Sequence, residues 1–142
     1  MVERDVVLAK IAVIDRCINR IQHIRSGGGV LSPIDIEDIT VLNLTRAAQA
    51  AIDLATHVVS TEGYGLPADV GEAFVLLGKH AVIGTELATR LRKMVGFRNI
   101  AVHNYQSIDP QILERIVEDH LGDLQALAAA VAERFQVQGQ PG

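Results

Sequence analysis

Aromatic residues are scarce in this sequence. The 142 residues include no tryptophan, and Phe and Tyr together make up only 4 %. Proteins that hold single-stranded nucleic acid by its bases stack those bases on aromatic side chains. Any RNA ligand would therefore have to be selected through its shape and its phosphate backbone. Hydrophobic residues still make up 49 % of the chain, and Ala, Leu, Ile and Val dominate them. This composition favours helices packed on helices, with some apolar surface left for a partner.

Cysteine is nearly absent, and the histidines are widely spaced. The single Cys17 excludes an internal disulfide, and its place in an amphipathic pattern predicts a small buried side chain. No two histidines lie three to five residues apart, so no zinc-ligand spacing is present. We therefore predict neither a metal site nor a cofactor. The histidines are His23, His57, His80, His103 and His120.

Long hydrophobic runs are also missing. A membrane-spanning helix needs about 20 predominantly apolar residues, and no segment approaches that. The first residues include Glu3 and Asp5 and do not have the layout of a signal peptide. The expected location is the cytoplasm, with no contact to a membrane.

The chain has no overall basic excess, because its formal net charge is −4. This argues against a general nucleic-acid binder. Between residues 79 and 105, however, the sequence contains five basic residues and one acidic residue. A basic patch on an otherwise acidic protein can steer a polyanion to one site. An ordinary solvated helix face explains the same charges equally well. The charged residues of this window are Lys79, Glu86, Arg90, Arg92, Lys93 and Arg98.

Apolar residues recur every three or four positions through most of the chain, which predicts helices. We expect longer helices over residues 3–25, 33–60, 85–104 and 110–135, and a short one from about 70 to 78. Ser32-Pro33 and Asp109-Pro110 are typical helix starts. No segment alternates as a strand does. The predicted fold is an all-α, up-and-down bundle in one domain, residues 1–135, with a frayed tail over 136–142.

Arg98 and His103 are the strongest candidates for chemistry. Arginine is a permanent cation suited to phosphate oxygens, and imidazole transfers protons near neutral pH. Cleavage of RNA by its own 2′-hydroxyl needs these two functions and no metal. On a helix, residues 98 and 105 share a face, but His103 lies about 140° away from Arg98. Either the helix unwinds near His103, or a second copy of the chain completes the site.

Residues 98–105, Arg-Asn-Ile-Ala-Val-His-Asn-Tyr, resemble the Arg-x4-His-x-Tyr signature of HEPN-domain toxins of the HepT type. The similarity extends to the preceding stretch, residues 94–100, and to the helical layout from residue 3 to 135. It also includes an upstream apolar frame, formed by Phe74, Leu77, Ile83, Leu87 and Leu91.

The resemblance implies a HEPN-like homodimer that cleaves RNA without a metal, with tRNA as one candidate substrate. The two motifs would face each other across a cleft. Arg98 would stabilise the scissile phosphate, and His103 would act as general base or acid. The products would be a 2′,3′-cyclic phosphate and a 5′-hydroxyl. Asn99 and Asn104 would support the site. Candidate contacts to the RNA backbone are Arg90, Arg92 and Lys93.

The same resemblance implies a type VII toxin–antitoxin system. The partner would be a minimal nucleotidyltransferase antitoxin of the MntA type, which inactivates the toxin by transferring AMP onto Tyr105. Each AMP would place a phosphodiester anion beside Arg98 and His103, where it competes with RNA.

Two other interpretations remain open from the sequence. The chain could be a non-catalytic HEPN-like subunit that binds a nucleotidyltransferase. It could also be a structural helical dimer, in which Arg98 and His103 only stabilise a helix end.

Overall fold

The computed structural model describes residues 1–27 and 30–137, and this part of the chain is all-helical. Residues 28 and 29 and most of the predicted tail, 138–142, lie outside the described residues. The last described residue, Val137, is buried against the core. No described helix is both long enough and apolar enough to span a membrane. The helices are α1 Arg4–Ser26, α2 Pro33–Glu62, α3 Glu72–Lys79, α4 Thr85–His103, α5 Pro110–Asp119 and α6 Leu121–Arg134.

Helix α2 lies at the centre of the bundle. It packs most extensively against α1, and it also contacts α3, α4 and α6. Five of its buried residues between positions 47 and 55 are alanines. Because their side chains are small, neighbouring helices can approach α2 closely. The larger buried side chains, among them Leu44 and Leu54, fill the space between helices. The core that positions α4 is therefore built around α2.

The predicted helix starts at Pro33 and Pro110 are confirmed. The Ser32 hydroxyl accepts a hydrogen bond from the backbone N–H of Asp35 at 3.1 Å, and Pro33 occupies the first turn of α2. At the start of α5, the Asp109 carboxylate accepts from the Gln111 N–H at 2.8 Å. Each side chain satisfies a donor that the first helical turn leaves without a backbone acceptor.

The prediction of one continuous helix over residues 110–135 is wrong in one respect, because the helix is interrupted at His120. The backbone of His120 leaves the helix, with φ −123° and ψ −2°. Its imidazole Nδ1 lies 2.9 Å from Asp123 Oδ2, and Asp123 Oδ1 accepts from Arg90 Nε at 3.0 Å. This network links the break to α4. The apolar period continues across a one-residue interruption, so the sequence pattern does not reveal it.

The centre of α2 gives a direct test of the packing. Leu54 is fully buried, whereas Leu66 is 94 % exposed. Leu54→Ala should lower the free energy of unfolding by about 2–5 kcal/mol, because it removes buried methyl groups and leaves a cavity. Leu66→Ala should change it by less than about 0.5 kcal/mol. Urea denaturation of both variants measures the difference, and equal effects would refute this core.

Candidate active site

Helix α4 ends at His103. Asn104 has φ −154° and ψ 70°, and its N–H still donates to the Ile100 carbonyl at 2.8 Å. A single 3-10 turn, Tyr105–Ser107, follows before Asp109 caps α5. The α-helix thus ends before Tyr105, but His103 is its last helical residue, so this end does not bring His103 to the face of Arg98. Tyr105 therefore does not continue the face of α4 that carries Arg98.

Arg98 is half-buried near the end of α4. Its Nη1 donates to the side-chain oxygen of Asn99 at 3.0 Å. Its Nε is buried and has no hydrogen-bond acceptor among the described residues. A buried donor without an acceptor costs about 1–3 kcal/mol, and folded proteins retain few of them. The guanidinium is thus partly oriented by Asn99, and its buried Nε lacks an acceptor among the described residues.

The side chain of His103 is exposed, and its imidazole makes no hydrogen bond within the described residues. Three other histidines have structural partners there. His57 accepts from the Glu3 N–H, His80 stacks on Tyr64, and His120 contacts Asp123. The described parts of the chain contain no group of three or more His, Cys, Asp or Glu side chains suited to holding a metal ion. The imidazole of His103 is therefore open to a ligand or substrate.

Tyr105 is 44 % exposed, and its hydroxyl donates a hydrogen bond to the carboxylate of Asp38 on α2. This hydrogen bond is the main reason that the pKa of Tyr105 is raised to about 12; burial and the negative charges of Asp38 and Glu37 add to the effect. A carboxylate acceptor stabilises the protonated phenol over the phenolate. The hydrogen bond to Asp38 therefore orients the tyrosine hydroxyl and favours its protonated form.

The structure brings Tyr105 to Asp38 but does not bond Arg98, His103 and Tyr105 to one another. No hydrogen bond between described residues joins Arg98, His103 and Tyr105. Asn104 is exposed at the end of α4, where its main role is to leave the helical conformation. Within one chain, the candidate catalytic side chains occupy neighbouring but separate positions around the end of α4.

The three candidate backbone-binding cations have different surroundings. Arg90 is engaged with Asp123, so it links α4 to α6. Arg92 lies 3.5 Å from Asp69 in an exposed ion pair, which contributes little and can exchange partners. Lys93 is exposed and forms no ion pair within the described residues. Arg92 and Lys93 are thus the more accessible cations.

A groove of about 470 Å³ lies between α4 and the segment from Ser107 to His120. Its floor is mostly apolar, and three cations, Arg90, Lys93 and Arg115, lie among its lining residues. Arg98, His103 and Tyr105 do not line it. The apolar lining residues include Met94, Phe97, Ile100, Ile108, Ile112 and Ile116.

Asp38 is the site residue that the sequence does not reveal. It stands 67 positions before Tyr105 and on a different helix. The sequence shows only an acidic group near the start of α2, formed by Asp35, Glu37 and Asp38. Of these, Asp35 lies in the first turn, where acidic residues are common. Only the packing of the turn after α4 against α2 brings the two side chains together.

A family model described as "Ribonuclease HepT-like" matches residues 14–131, which is most of the chain. The chain belongs to the HepT-like ribonuclease family. This membership confirms the resemblance found in the sequence, and the all-helical structure agrees with it.

Two HepT-like relatives are named as nucleases of different RNAs. The mRNA nuclease HepT of Shewanella oneidensis is 38 % identical over 122 residues, which are 85 % of this chain and 92 % of that protein. The tRNA nuclease HepT of Aphanizomenon flos-aquae is 39 % identical over 80 residues, covering 56 % of this chain and 54 % of the relative. The family therefore includes proteins with different RNA targets.

Solved structures of HepT-like toxins have the same fold. One is the tri-AMPylated HEPN toxin of Shewanella oneidensis in complex with its MNT antitoxin. It superposes with a TM-score of 0.83 at 36 % identity, covering 91 % of this chain and 98 % of that one. A toxin–antitoxin structure with AMP-PNP gives a TM-score of 0.83 at 35 % identity, with the same coverage of both chains.

The bond between Tyr105 and Asp38 can be tested by titration. Tyr64→Phe leaves Tyr105 as the only tyrosine, because the chain has two. The ultraviolet absorbance of its phenolate should then titrate with a midpoint of about 12. Adding Asp38→Asn removes the carboxylate acceptor and should move the midpoint down towards about 10, the ordinary value for tyrosine. A midpoint that does not change would refute this contact.

Proposed function

We propose that the chain is a metal-independent endoribonuclease toxin of a type VII toxin–antitoxin system, acting as a homodimer in the cytoplasm. One observation carries the proposal. At the end of α4, a half-buried arginine, whose side chain bonds only to Asn99 among the described residues, and an exposed, unengaged histidine lie five positions apart in a HepT-like chain. These groups can bind a phosphate and move a proton, which are the functions that RNA cleavage needs.

In the proposed reaction, the 2′-oxygen of RNA attacks the adjacent phosphorus, and the bond to the 5′-oxygen breaks. Arg98 donates hydrogen bonds to the phosphate oxygens, whose negative charge grows in the transition state. His103 accepts the proton of the 2′-hydroxyl or donates one to the departing 5′-oxygen. The products are a 2′,3′-cyclic phosphate and a 5′-hydroxyl; His103 transfers one of the two protons, water exchanges the other, and no metal takes part.

The remaining motif residues support this reaction. Asn99 orients the guanidinium through its hydrogen bond to Nη1 of Arg98. Asn104 ends the helix so that His103 is exposed. Arg92 and Lys93 bind the RNA backbone as exposed cations, and Arg90 contributes a weaker field because Asp123 partly neutralises it.

The proposed regulation is AMPylation of Tyr105 by an MntA-type nucleotidyltransferase encoded beside the gene for this chain. The tri-AMPylated state of the Shewanella oneidensis toxin in its antitoxin complex supports it, as does the exposure of Tyr105. The added phosphodiester is an anion close in sequence to Arg98 and His103, so it competes with RNA for the same cations.

The homodimer is proposed because the two catalytic side chains diverge within one chain. Arg98 is half-buried, whereas His103 is exposed. Their helical positions are about 140° apart. A second copy can supply the missing partner, so that Arg98 of one protomer and His103 of its partner act on one phosphate.

A non-catalytic subunit that binds a nucleotidyltransferase is the alternative function. The net charge of −4 and the engagement of Arg90 with Asp123 favour it, since both reduce the attraction for RNA. Growth separates the two functions. A nuclease should be toxic without its antitoxin and harmless as His103→Ala, whereas a binding subunit should be tolerated in both forms.

Arg98→Ala and His103→Ala test the nuclease directly. Purified, unmodified chain is incubated with tRNA and mRNA in EDTA, and cleavage is followed on gels. His103→Ala should slow cleavage by at least about 100-fold, the usual contribution of general acid–base catalysis. Arg98→Ala should have a comparable effect. His23→Ala, which changes another exposed histidine, should cleave at the wild-type rate; intact RNA with every variant and with wild type would contradict the proposal.

Mixing the two inactive variants tests whether the site spans two protomers. Arg98→Ala and His103→Ala chains are co-expressed with different affinity tags, and the mixed dimer is purified. It retains one pair consisting of Arg98 from one chain and His103 from the other, so we expect cleavage to return in part. A mixed dimer as inactive as its parents would show that both groups must come from the same chain.

A further inference from the structure

Asp38 has an unusual environment for a carboxylate. It is exposed on α2, and its hydrogen bond among the described residues is to the Tyr105 hydroxyl. No Lys, Arg or His of the described residues forms an ion pair with it. Glu37 beside it adds a second negative charge near Tyr105. The carboxylate is therefore neither neutralised nor used to stabilise a helix end, and it contacts the one hydroxyl that the proposed regulation modifies.

Transfer of a nucleotide to a tyrosine has one chemical requirement at the hydroxyl. The phenol must lose its proton as its oxygen attacks phosphorus, since a neutral hydroxyl is a weak nucleophile. The raised pKa of Tyr105 means that free phenolate is scarce at neutral pH. A base that already accepts a hydrogen bond from the hydroxyl can take the proton during the attack, without prior ionisation.

We infer that Asp38 is the general base for AMPylation of Tyr105, so that the acceptor chain itself supplies this group. The inference rests on the proposed function, in which Tyr105 is modified. In this step, the Tyr105 oxygen forms a bond to the α-phosphorus of ATP, and the bond from that phosphorus to the pyrophosphate oxygen breaks. Pyrophosphate leaves, and the tyrosine proton passes to the Asp38 carboxylate.

AMPylated Tyr105 cannot keep the hydrogen bond to Asp38 that the free hydroxyl makes. Once Tyr105 carries AMP, its oxygen has no proton to donate, and the new phosphodiester anion stands near Asp38 and Glu37. Like charges at such short range repel. The modified side chain therefore moves away from Asp38, which returns to its ionised form by releasing the proton to water.

Three substitutions separate the transfer of a proton from the other properties of Asp38. Asp38→Asn keeps the shape and one acceptor oxygen but removes the basic carboxylate. Asp38→Ala leaves a space that a small carboxylate such as formate can enter. Glu37→Gln is the matched control, because Glu37 contributes charge but no hydrogen bond to Tyr105.

The experiment uses the full-length chain, the nucleotidyltransferase encoded beside its gene, and ATP. AMP incorporation is followed by intact mass and mapped by peptide mass. Asp38→Asn should lower kcat at least about 100-fold, as loss of a general base does, while KM for ATP stays unchanged. Glu37→Gln should remain close to wild type. Formate should raise the rate of Asp38→Ala in proportion to its concentration and leave wild type unaffected.

The outcomes distinguish this inference from the proposed function. If wild type is modified at Tyr105 and folded Asp38→Asn is modified equally fast, Asp38 is not the base, and the proposed regulation stands. If wild type gains no AMP, or gains it only at other residues, the proposed regulation through Tyr105 and the role of Asp38 as its base both fail. Should Asp38→Asn not fold, Asp38→Ala with and without formate decides, and the absence of rescue in a folded Asp38→Ala chain overturns the inference.

Discussion

The end of α4 at His103 is the constraint on which the site depends. Had the helix continued, Tyr105 would lie on the face of Arg98, two turns further along. Instead, Asn104 leaves the helical conformation, and the 3-10 turn carries Tyr105 to Asp38 on α2. The groups proposed to bind phosphate, to transfer a proton and to be modified thus follow one another within eight residues, yet each has its own environment. The proposed modification would then add a charge near Arg98 and His103 without using either side chain.

The bundle around this segment keeps it in place. Helix α2 packs against α1, α3, α4 and α6, and it carries Asp38 on its exposed side. Asp123 joins Arg90 on α4 to His120 at the break between α5 and α6. The segment after α4 is therefore connected to the core at both of its ends.

The sequence predicts the features that depend on near neighbours. Apolar periodicity and the two Ser/Asp-Pro starts locate the helices, and the motif with its flanks identifies the HepT-like family. The features that depend on distant residues are not predictable in this way. The break at His120 leaves the apolar period intact, and Asp38 meets Tyr105 only through tertiary packing. In the same way, the sequence predicts Arg90 to be a surface cation, and it does not reveal the hydrogen bond from Arg90 to Asp123, which lies 33 residues later.

The proposed reaction has Arg98 and His103 cleave RNA through its own 2′-hydroxyl, with no metal ion involved. The most direct measurement is the chemistry of the ends that unmodified chain leaves on a defined RNA in the presence of EDTA, read by mass spectrometry. We expect a 2′,3′-cyclic phosphate on one fragment and a 5′-hydroxyl on the other. Fragments that carry a 3′-hydroxyl and a 5′-phosphate, or cleavage that occurs only when Mg²⁺ is restored, would contradict it.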